Sequence, residues 1–272
     1  MQIYILGVFV NINVDVSAAN CVPLSQALLV GTPVSTISLD QLLAAFETWT
    51  LDSQDRYVVF RDVHGIIAAR NNAQLDLAHQ TADIVAPDGM PLVWALRAAG
   101  DGPVYRVCGP DVLPAVCQHG LSRGWRHYFY GGAEGVADLL AEALVKKYPN
   151  LKIAGTQCPP FRPLTPEEDE IACAKIRAAA PDFVWVGLGT PKQEIWMGQN
   201  KGRCGGATML GVGAAFDFHA NLVRRAPSWM QRSGLEWAYR LFTEPKRLWK
   251  RYLVMAPIFV VLAAHEIIRR RW

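Results

Sequence analysis

Between residues 57 and 213, six short apolar runs alternate with longer stretches whose apolar residues repeat at helical spacing. The runs are YVVF (57–60), DIVA (83–86), HYFYG (127–131), KIAG (152–155), FVWVG (183–187) and ATMLGVG (207–213). Apolar strands that alternate with helices are typical of a parallel sheet covered on both faces. The alternation therefore predicts an α/β fold with a mostly parallel sheet and helices on both sides.

Two of the intervening stretches carry helix signals. In AEGVADLLAEALVKKYP (133–149), apolar side chains recur on one face. TPEEDEIACAKIRAAAP (165–181) opens with Thr165 as a candidate N-cap and Pro166 at the first helical position, and Glu168 completes a capping box. Both stretches are therefore predicted to be helices that connect neighbouring strands.

Three strand ends are rich in glycine: YGGAEG (130–135), GLGTPKQ (187–193) and GVGAAFD (211–217). Each alone is compatible with a tight turn, but together they indicate a ligand site beyond the carboxyl ends of the strands. None completes G-x-G-x-x-G, because Lys192 and Phe216 occupy the third glycine position in two of them and the other has two adjacent glycines. A dinucleotide-dependent oxidoreductase is therefore disfavoured.

Two further strand ends carry charged residues with more than one interpretation. Asp88 lies in APDGMPLVW, where it suits a Pro-Asp-Gly turn or serves as a general base. Arg106, in YRVCGPDV, either pairs with a surface acid or holds a phosphate. Asp111 is a candidate cap for the helix that follows it.

The charge of the chain is divided unevenly. Residues 224–272 contain eleven Lys and Arg against three Glu, a net charge of +8, which leaves −5 for the preceding residues. Aromatic residues lie between these cations, and an apolar run spans residues 252–264. This run is shorter than the ~20 residues of a membrane-spanning helix. We expect peripheral or re-entrant attachment to an anionic membrane surface, while a core-packing helix with a solvated basic face is the alternative. A nucleic-acid-binding tail is disfavoured by the apolar run.

Cysteine spacing and the N-terminus both favour a cytoplasmic protein. No CxxC pair or histidine cluster accompanies the cysteines, so they are predicted to be buried free thiols. They are Cys21, Cys108, Cys117, Cys158, Cys173 and Cys204. The opening MQIYILGVFV lacks a basic n-region, so no signal peptide is predicted.

Together these motifs resemble a known family. TADIVAPDGMPLVW, RVCGPDVL, YFYGGAEGVADLL, VGLGTPKQEIWM, GVGAAFDFHANLVRRAP and GLEWAYRLFTEPKRLWKRYL occur in the order found in WecG/TagA/CpsF glycosyltransferases (glycosyltransferase family 26). The resemblance covers about residues 37–255. It implies a Rossmann-like core and inverting transfer of a hexose or N-acetylhexosamine, ManNAc-type or glucose, from a UDP-sugar. The implied acceptor is a polyprenyl-diphosphate-linked saccharide at the cytoplasmic face of the cell membrane, in cell-surface or exopolysaccharide synthesis.

The resemblance also implies roles for individual residues. Asp88 matches the proposed catalytic base, and Arg106 and Gln193 match the substrate pocket. Arg240 and Arg247 match arginines that close over the nucleotide, and Arg251 matches a third with a one-residue offset. With the polar and glycine residues of the strand ends, the predicted substrate-binding set is Arg106, Gly131, Gly132, Gly189, Thr190, Lys192, Gln193, Glu194, Asp217, Arg240, Arg247 and Arg251.

No cofactor or metal is predicted, because no two aspartates stand in D-x-D spacing. Backbone N–H groups and cations must then stabilise the departing UDP. The predicted domains are a divergent N-terminal segment (1–36), the glycosyltransferase core (37–223) and a membrane-associated basic appendage (224–272). The predicted partners are the donor, the lipid-linked acceptor and the membrane, not nucleic acid. The apolar tail also suggests homo-oligomers away from the membrane.

One motif departs from the family. Where its members carry T-P-N after the first core strand, this chain has FRDVHG, with Arg61 in place of the threonine and Val63 in place of the asparagine. Asp62 and His64 are candidates to replace the lost polar contacts. The departure keeps a non-enzymatic membrane-associated scaffold of polysaccharide assembly as the alternative function.

Overall fold

Ten strands in three sheets are found in the residues that the computed structural model describes, 2–5, 8–11 and 25–271. They are β1 Gln2–Ile5, β2 Val8–Asn11, β3 Gln26–Leu29, β4 Thr32–Ser35, β5 Arg56–Arg61, β6 Ile84–Pro87, β7 Arg126–Gly131, β8 Lys152–Gln157, β9 Phe183–Gly187 and β10 Thr208–Gly211. Strands β5 to β10 form one parallel sheet in the order β6-β5-β10-β9-β7-β8. The pairs β1–β2 and β3–β4 are antiparallel hairpins. The α/β fold and all six predicted core strands are confirmed.

Helices connect these strands and continue into the tail. They are α1 Leu39–Asp52, α2 Val63–Ala69, α3 Ala73–Gln80, α4 Met90–Ala99, α5 Gly109–Gly120, α6 Val136–Lys147, α7 Pro166–Ala179, α8 Lys192–Asn200, α9 Ala215–His219, α10 Ser228–Arg232, α11 Glu236–Thr243, α12 Pro245–Trp249 and α13 Ala256–Arg271. A π-helical segment, Lys250–Met255, joins α12 to α13. Both predicted helices are present, and the capping box of α7 is complete: the Thr165 hydroxyl accepts from the Glu168 N–H, and the Glu168 carboxylate accepts from the Thr165 N–H at 2.9 Å.

The two faces of the large sheet bury different helices. Phe183 and Trp185 point to one face and pack with residues of α1, α5 and α6. Val184 and Val186 point to the other face and pack with residues of α7 and α8. Side chains alternate in this way because successive residues of a strand face opposite sides of the sheet. Fully burying one such side chain contributes about 1.5–3 kcal/mol, so both layers fix the sheet that carries the site.

The end of the tail is fastened to the β3–β4 hairpin. Phe259 and Ala263 of α13 are buried in one cluster with Leu29 and other apolar residues of the hairpin, α2 and α4. The Glu266 carboxylate also accepts a hydrogen bond of 2.5 Å from the backbone N–H of Val30. The tail therefore contacts the core through buried apolar side chains of α13 as well as through a charged one. The domain boundaries after residues 36 and 223 stay predictions.

The helical part of the tail is longer than its apolar run. Helix runs without interruption over Pro245–Arg270, 26 residues, and by length and composition it is able to cross a membrane. The apolar run by itself is shorter than a membrane span, but the helix that contains it is long enough, because helix extends into charged residues on both sides of residues 252–264. Only 11% of its most apolar window is buried. Peripheral or re-entrant attachment stays a prediction.

The cysteine prediction is confirmed for four of the five cysteines in the described residues. Cys108, Cys117, Cys173 and Cys204 are free and buried, whereas the free Cys158 is partly exposed. Cys21 lies outside the described residues. The prediction of a cytoplasmic chain without a signal peptide stays a prediction.

Candidate functional site

All six strands of the parallel sheet bring their carboxyl ends to one edge, as the sequence predicted. The loop after β6 carries Asp88, and the loops after β9 and β7 carry the glycines at Gly189 and Gly132. The end of β5 carries Arg61, and β10 lies between β5 and β9 at the centre of the edge. Most of the predicted site residues therefore lie on one rim of the core.

Gly131 and Gly189, at this edge of the sheet, are glycines for different structural reasons. A Cβ on Gly131, whose φ is 131°, would lie 2.6 Å from the backbone carbonyl carbon of Gly187, so only glycine allows β7 and β9 to end side by side. The N–H of Gly132 donates to the Gly187 carbonyl at 3.0 Å. Gly189 has a φ of 75°, and a Cβ there would meet no atom within 4 Å. The surface above Gly189 is therefore open to a ligand.

The loop between β9 and α8 holds its amide and carboxylate inside the protein. The Gln193 side-chain amide donates to the Gly211 carbonyl at 2.9 Å, and its oxygen accepts from the Gly189 N–H at 3.1 Å. Glu194 is fully buried and accepts from the Thr190 hydroxyl at 2.8 Å. In this conformation Gln193 and Glu194 shape the loop, and their contact with a substrate stays a prediction.

Lys192 differs from its neighbours because it is exposed. Its ammonium lies 4.1 Å from the centre of the Phe161 ring, which belongs to the loop between β8 and α7. Phe161 itself is 95% exposed. Lys192 is therefore held at the rim by a weak contact that leaves its charge available to an anion.

Arg61 is a buried cation at the end of β5, and its contacts were not predicted from sequence. Its guanidinium contacts the His79 ring and lies 3.9 Å from the Glu194 carboxylate. Burial lowers the pKa of Arg61 to about 10, which still leaves the guanidinium charged near neutral pH. Burial, with the neighbouring Arg61 charge, lowers the pKa of His79 to about 2, so the imidazole is neutral. The residue that departs from the family motif thus supplies the counter-charge of Glu194.

The remaining polar residues of the departing motif have different surroundings. Asp62 caps α2 by accepting from the Gly65 N–H at 3.0 Å, and it also pairs with Arg251 of the tail. His64 has a buried Nδ1 for which the described residues offer no hydrogen-bond partner, and burial lowers the pKa of His64. Asp62 is therefore engaged within the protein, whereas His64 has an unused polar atom.

Asp88 is held by its backbone and paired through its side chain. Its N–H donates to the Arg61 carbonyl at 2.7 Å, and its own carbonyl accepts from the Arg106 Nε at 2.6 Å. The carboxylate Oδ1 lies 3.5 Å from the Arg106 Nη2, and the side chain is 29% exposed. The turn geometry and the catalytic interpretation are therefore compatible, because the turn fixes a carboxylate that solvent still reaches.

The pKa of Asp88 is raised to about 6. Burial is the largest cause and raises it, the Arg106 charge lowers it, and the Glu236 charge raises it again. Burial thus outweighs the ion pair. A carboxyl group with a pKa near neutrality is suited to proton transfer, because both of its protonation states are accessible.

The tail reaches this pair through Glu236 at the start of α11. Its Oε2 accepts from Arg106 Nη2 at 2.8 Å, and its Oε1 accepts from Arg225 Nε at 3.1 Å. Arg225 also pairs with Asp111 of α5. Sequence reasoning missed Glu236 and Arg225, and the available signal was one acid between Arg232 and Arg240 in RSGLEWAYRL.

The role first considered for Asp111 was wrong. Helix α5 begins earlier, at Gly109, and its N-cap is Cys108, without a side-chain cap. Pro110 lies at the second helical position, where proline is tolerated, and Asp111 therefore lies in the first turn instead of at the cap. The Asp111 carboxylate accepts from the Cys108 thiol at 2.9 Å.

The three predicted tail arginines do not meet at one point. The guanidinium carbon of Arg240 lies 5.8 Å from the centre of the Phe218 ring of α9, and the charge of Arg240 lowers the pKa of Asp88. Arg247 pairs with Glu244 at 2.7 Å and is 61% exposed. Arg251 lies instead beside the end of β5, where it pairs with the cap of α2. Arg240 and Arg247 are therefore placed toward α9, and Arg251 is separated from them.

Asp217, on α9, lies near this part of the tail. Burial raises its pKa and the nearby Arg247 charge lowers it. Its substrate contact stays a prediction. Within the described residues, no group of three His, Cys, Asp or Glu is placed to hold a metal ion.

Comparisons with known proteins agree with the motifs. A family model described as "Glycosyl transferase WecG/TagA/CpsF family" matches residues 27–272, which extends beyond the motifs on both sides. A Bacillus spizizenii (strain W23) protein is 30% identical over 229 residues, covering 84% of this chain and 87% of that protein. A Bacillus subtilis (strain 168) protein is 32% identical over 173 residues, covering 64% of this chain and 65% of that protein. Both are named N-acetylglucosaminyldiphosphoundecaprenol N-acetyl-beta-D-mannosaminyltransferase.

Proposed function

This chain belongs to the WecG/TagA/CpsF family of glycosyl transferases, and on that premise we propose the reaction that it catalyses. It transfers a hexose or N-acetylhexosamine, with inversion and without a metal ion, from a UDP-sugar to a polyprenyl-diphosphate-linked saccharide. The names of both Bacillus relatives, which specify a mannosaminyl group and a diphosphoundecaprenol acceptor, support a ManNAc-type donor over glucose. The observation that carries the proposal is the Asp88 carboxylate, held at the sheet edge beside Arg106 with a pKa near 6.

Asp88 acts as the general base of this reaction. Its ionised carboxylate accepts the proton of the acceptor hydroxyl while the oxygen bonds to the anomeric carbon of the donor. The bond from that carbon to the diphosphate breaks, and UDP leaves with the electron pair. The attack and the departure take place on opposite faces of the sugar, so the configuration at the anomeric carbon is inverted.

Fixed cations stabilise the departing UDP. Arg106 is on the core, Arg240 and Arg247 come from the tail, and Lys192 lies exposed at the rim. Preorganised cations stabilise charge that develops in a transition state without the cost of reorienting solvent. The absence of D-x-D spacing in the sequence supports cations in place of a divalent ion.

The ligand class distinguishes this proposal from a nucleotide-dependent oxidoreductase and from a nucleic-acid-binding protein. A ligand that binds the folded state raises the temperature of unfolding. We expect UDP to raise the melting temperature of the purified chain in detergent, and NAD and an oligonucleotide not to do so. Protection by NAD or by the oligonucleotide, with none by UDP, contradicts the proposal.

The tail also supports attachment to the inner face of the cell membrane. Apolar side chains of the long helix are exposed, among them Leu253, Val260 and Val261, and cations precede and follow them. An exposed apolar face with flanking cations is typical of a helix that lies in an anionic membrane surface. Residues 224–272 thus form a membrane-associated appendage on the 37–223 core, and the same face joins copies of the chain when no membrane is present.

Adding charge to this face is expected to release the protein from vesicles. The double substitution Val260→Asp and Val261→Asp should reduce co-sedimentation with anionic phospholipid vesicles, because the two side chains are 60% and 68% exposed and would enter the lipid. The matched control is Leu139→Asp with Val145→Asp, on exposed positions of α6. Equal sedimentation of the tail variant and the control contradicts attachment through this face.

A non-enzymatic scaffold is the alternative, and one observation favours it. Gln193 and Glu194 hydrogen-bond within the protein, and the departing Arg61 is buried beside them, so part of the predicted pocket is filled by protein contacts. A scaffold predicts UDP binding without turnover, or no UDP binding. The enzyme predicts release of UDP that depends on the acceptor.

A further inference from the structure

Five charged side chains of alternating sign connect the predicted base to the tail. In order they are Asp88, Arg106, Glu236, Arg225 and Asp111. The middle member, Glu236, belongs to α11. Its side chain is 15% exposed, and those of Arg106 and Arg225 are 19% and 17% exposed. The three central members are therefore largely shielded from solvent, where ionic interactions are stronger than on a surface, whereas Asp88 and Asp111 at the two ends are 29% and 51% exposed.

Arg106 is held at both ends of its guanidinium. At one end Nε donates to the Asp88 backbone carbonyl at 2.6 Å. At the other end Nη2 donates to the Glu236 carboxylate at 2.8 Å, while the same nitrogen lies 3.5 Å from the Asp88 carboxylate. The stronger side-chain contact of Arg106 is thus made to the tail, not to Asp88.

We propose that Glu236 is a positioning residue that holds the Arg106 guanidinium beside the Asp88 carboxylate and sets the pH range in which Asp88 accepts a proton. The inference rests on the proposed function, in which Asp88 is the general base. It gives α11 a second role. Besides Arg240, which is predicted to close over the nucleotide, this helix supplies the residue that positions Arg106.

The charges around Asp88 predict in which direction Glu236 shifts the pKa of Asp88. The titratable and charged groups that interact with Asp88 are Arg61 at the end of β5, Arg106 and Cys108 before α5, Arg225 before α10, and Glu236 and Arg240 of α11. Asp62, at the cap of α2, lies beside the neighbouring Gly89. Burial keeps the Cys108 thiol protonated, because its pKa is raised well above the usual value. Asp62 is neutralised by Arg251. Glu236 is the acid whose charge raises the pKa of Asp88.

The test replaces charge and hydrogen bond separately. Glu236→Gln keeps an oxygen that accepts from Arg106 but removes the negative charge. The charge of Glu236 opposes ionisation of Asp88. Its removal should therefore move the acid limb of the pH profile, along which kcat/KM falls as Asp88 is protonated, by about 0.5–1 pH unit to lower pH. The plateau value of kcat/KM at higher pH should be largely kept. Glu236→Leu removes the acceptor as well, and the plateau should fall by about 10–10²-fold because Arg106 is no longer oriented.

A matched control separates this effect from a general change in the tail. Glu266→Gln makes the same substitution in α13, where Glu266 contacts the Val30 N–H and Arg270. Its acid limb should coincide with that of the unmodified protein. A purely structural role of Glu236 would change the melting temperature or the amount of active protein without moving the acid limb.

A second measurement decides the inference without turnover. Carboxyl carbon-13 NMR of the full chain in detergent, with the Asp88 signal assigned by Asp88→Asn, should show a lower Asp88 pKa in Glu236→Gln than in the unmodified protein. Identical Asp88 titrations in the two proteins overturn the inference and leave the proposed function intact. Failure of the unmodified protein to use any UDP-sugar overturns the proposed function, and the NMR titration still tests the contact of Glu236 with the pair.

Discussion

Asp88→Asn is expected to lower kcat by about 10²-fold or more, because the amide does not accept the proton of the acceptor hydroxyl and a general base typically contributes 10²–10⁴-fold. The substitution keeps the size of the side chain and the two backbone hydrogen bonds, to Arg61 and from Arg106, that fix the turn. Initial rates of UDP release at saturating substrate, above pH 7, measure the effect.

A matched substitution controls for the chemistry of the change. Asp76→Asn alters a partly exposed carboxylate on α3 that accepts from Gln80 at 2.8 Å. It should retain the unmodified rate. An Asp88→Asn protein with the same melting temperature and a near-normal kcat would show that Asp88 is only a turn residue.

Arg106→Gln is expected to have the second large effect. It removes the charge that faces both Asp88 and the predicted diphosphate, and loss of one such stabilising group typically costs about 10²–10³-fold. The acid limb of kcat/KM should also move to higher pH, because the Arg106 charge lowers the pKa of Asp88. A pH series of kcat/KM measures both changes in one experiment.

Arg126→Gln provides the control for this arginine. Arg126 begins β7 at the opposite edge of the sheet, where its guanidinium donates to the Ala179 carbonyl at 2.9 Å. Its plateau kcat/KM and its acid limb should be unchanged. An Arg106→Gln protein that keeps the unmodified plateau would remove Arg106 from the site.

The core was predictable because its signals are local. Each of the six strands is a short apolar run, and α7 carries Thr165 and Glu168 at the spacing of a capping box. Parallel strands bring their carboxyl ends to one edge, so Asp88 and the glycine loops could be assigned to one rim before their distances were known. Local patterning therefore predicts which residues share an edge.

The charge pairs were not predictable because they join distant residues. Glu236 and Arg106 are separated by 130 positions, and no local period links an acid in a basic tail to an arginine on the core. Arg61 appeared only as a departure from a motif, although it is buried and faces Glu194. The length of the tail helix was not predictable from its apolar run either. Charged residues on both sides of the run continue the helix, so the run alone does not show where the helix begins and ends.

The site also shows why several interpretations of a residue can hold together. The Pro-Asp-Gly turn fixes the Asp88 backbone, and burial at that turn raises the pKa of its carboxyl group to about 6. Arg106 pairs with an acid, as one interpretation expected, and that acid is Glu236 of the tail. The structural contacts of both residues place their charged groups for the proposed reaction.

The most direct test of the account is release of UDP by the full chain in detergent, with a panel of UDP-sugars, a lipid-diphosphate-linked GlcNAc acceptor and a metal chelator. We predict release that requires the acceptor, is fastest with a ManNAc-type donor and is unchanged by the chelator. Loss of the reaction in chelator with recovery in magnesium or manganese, or no acceptor-dependent release with any donor, would contradict it.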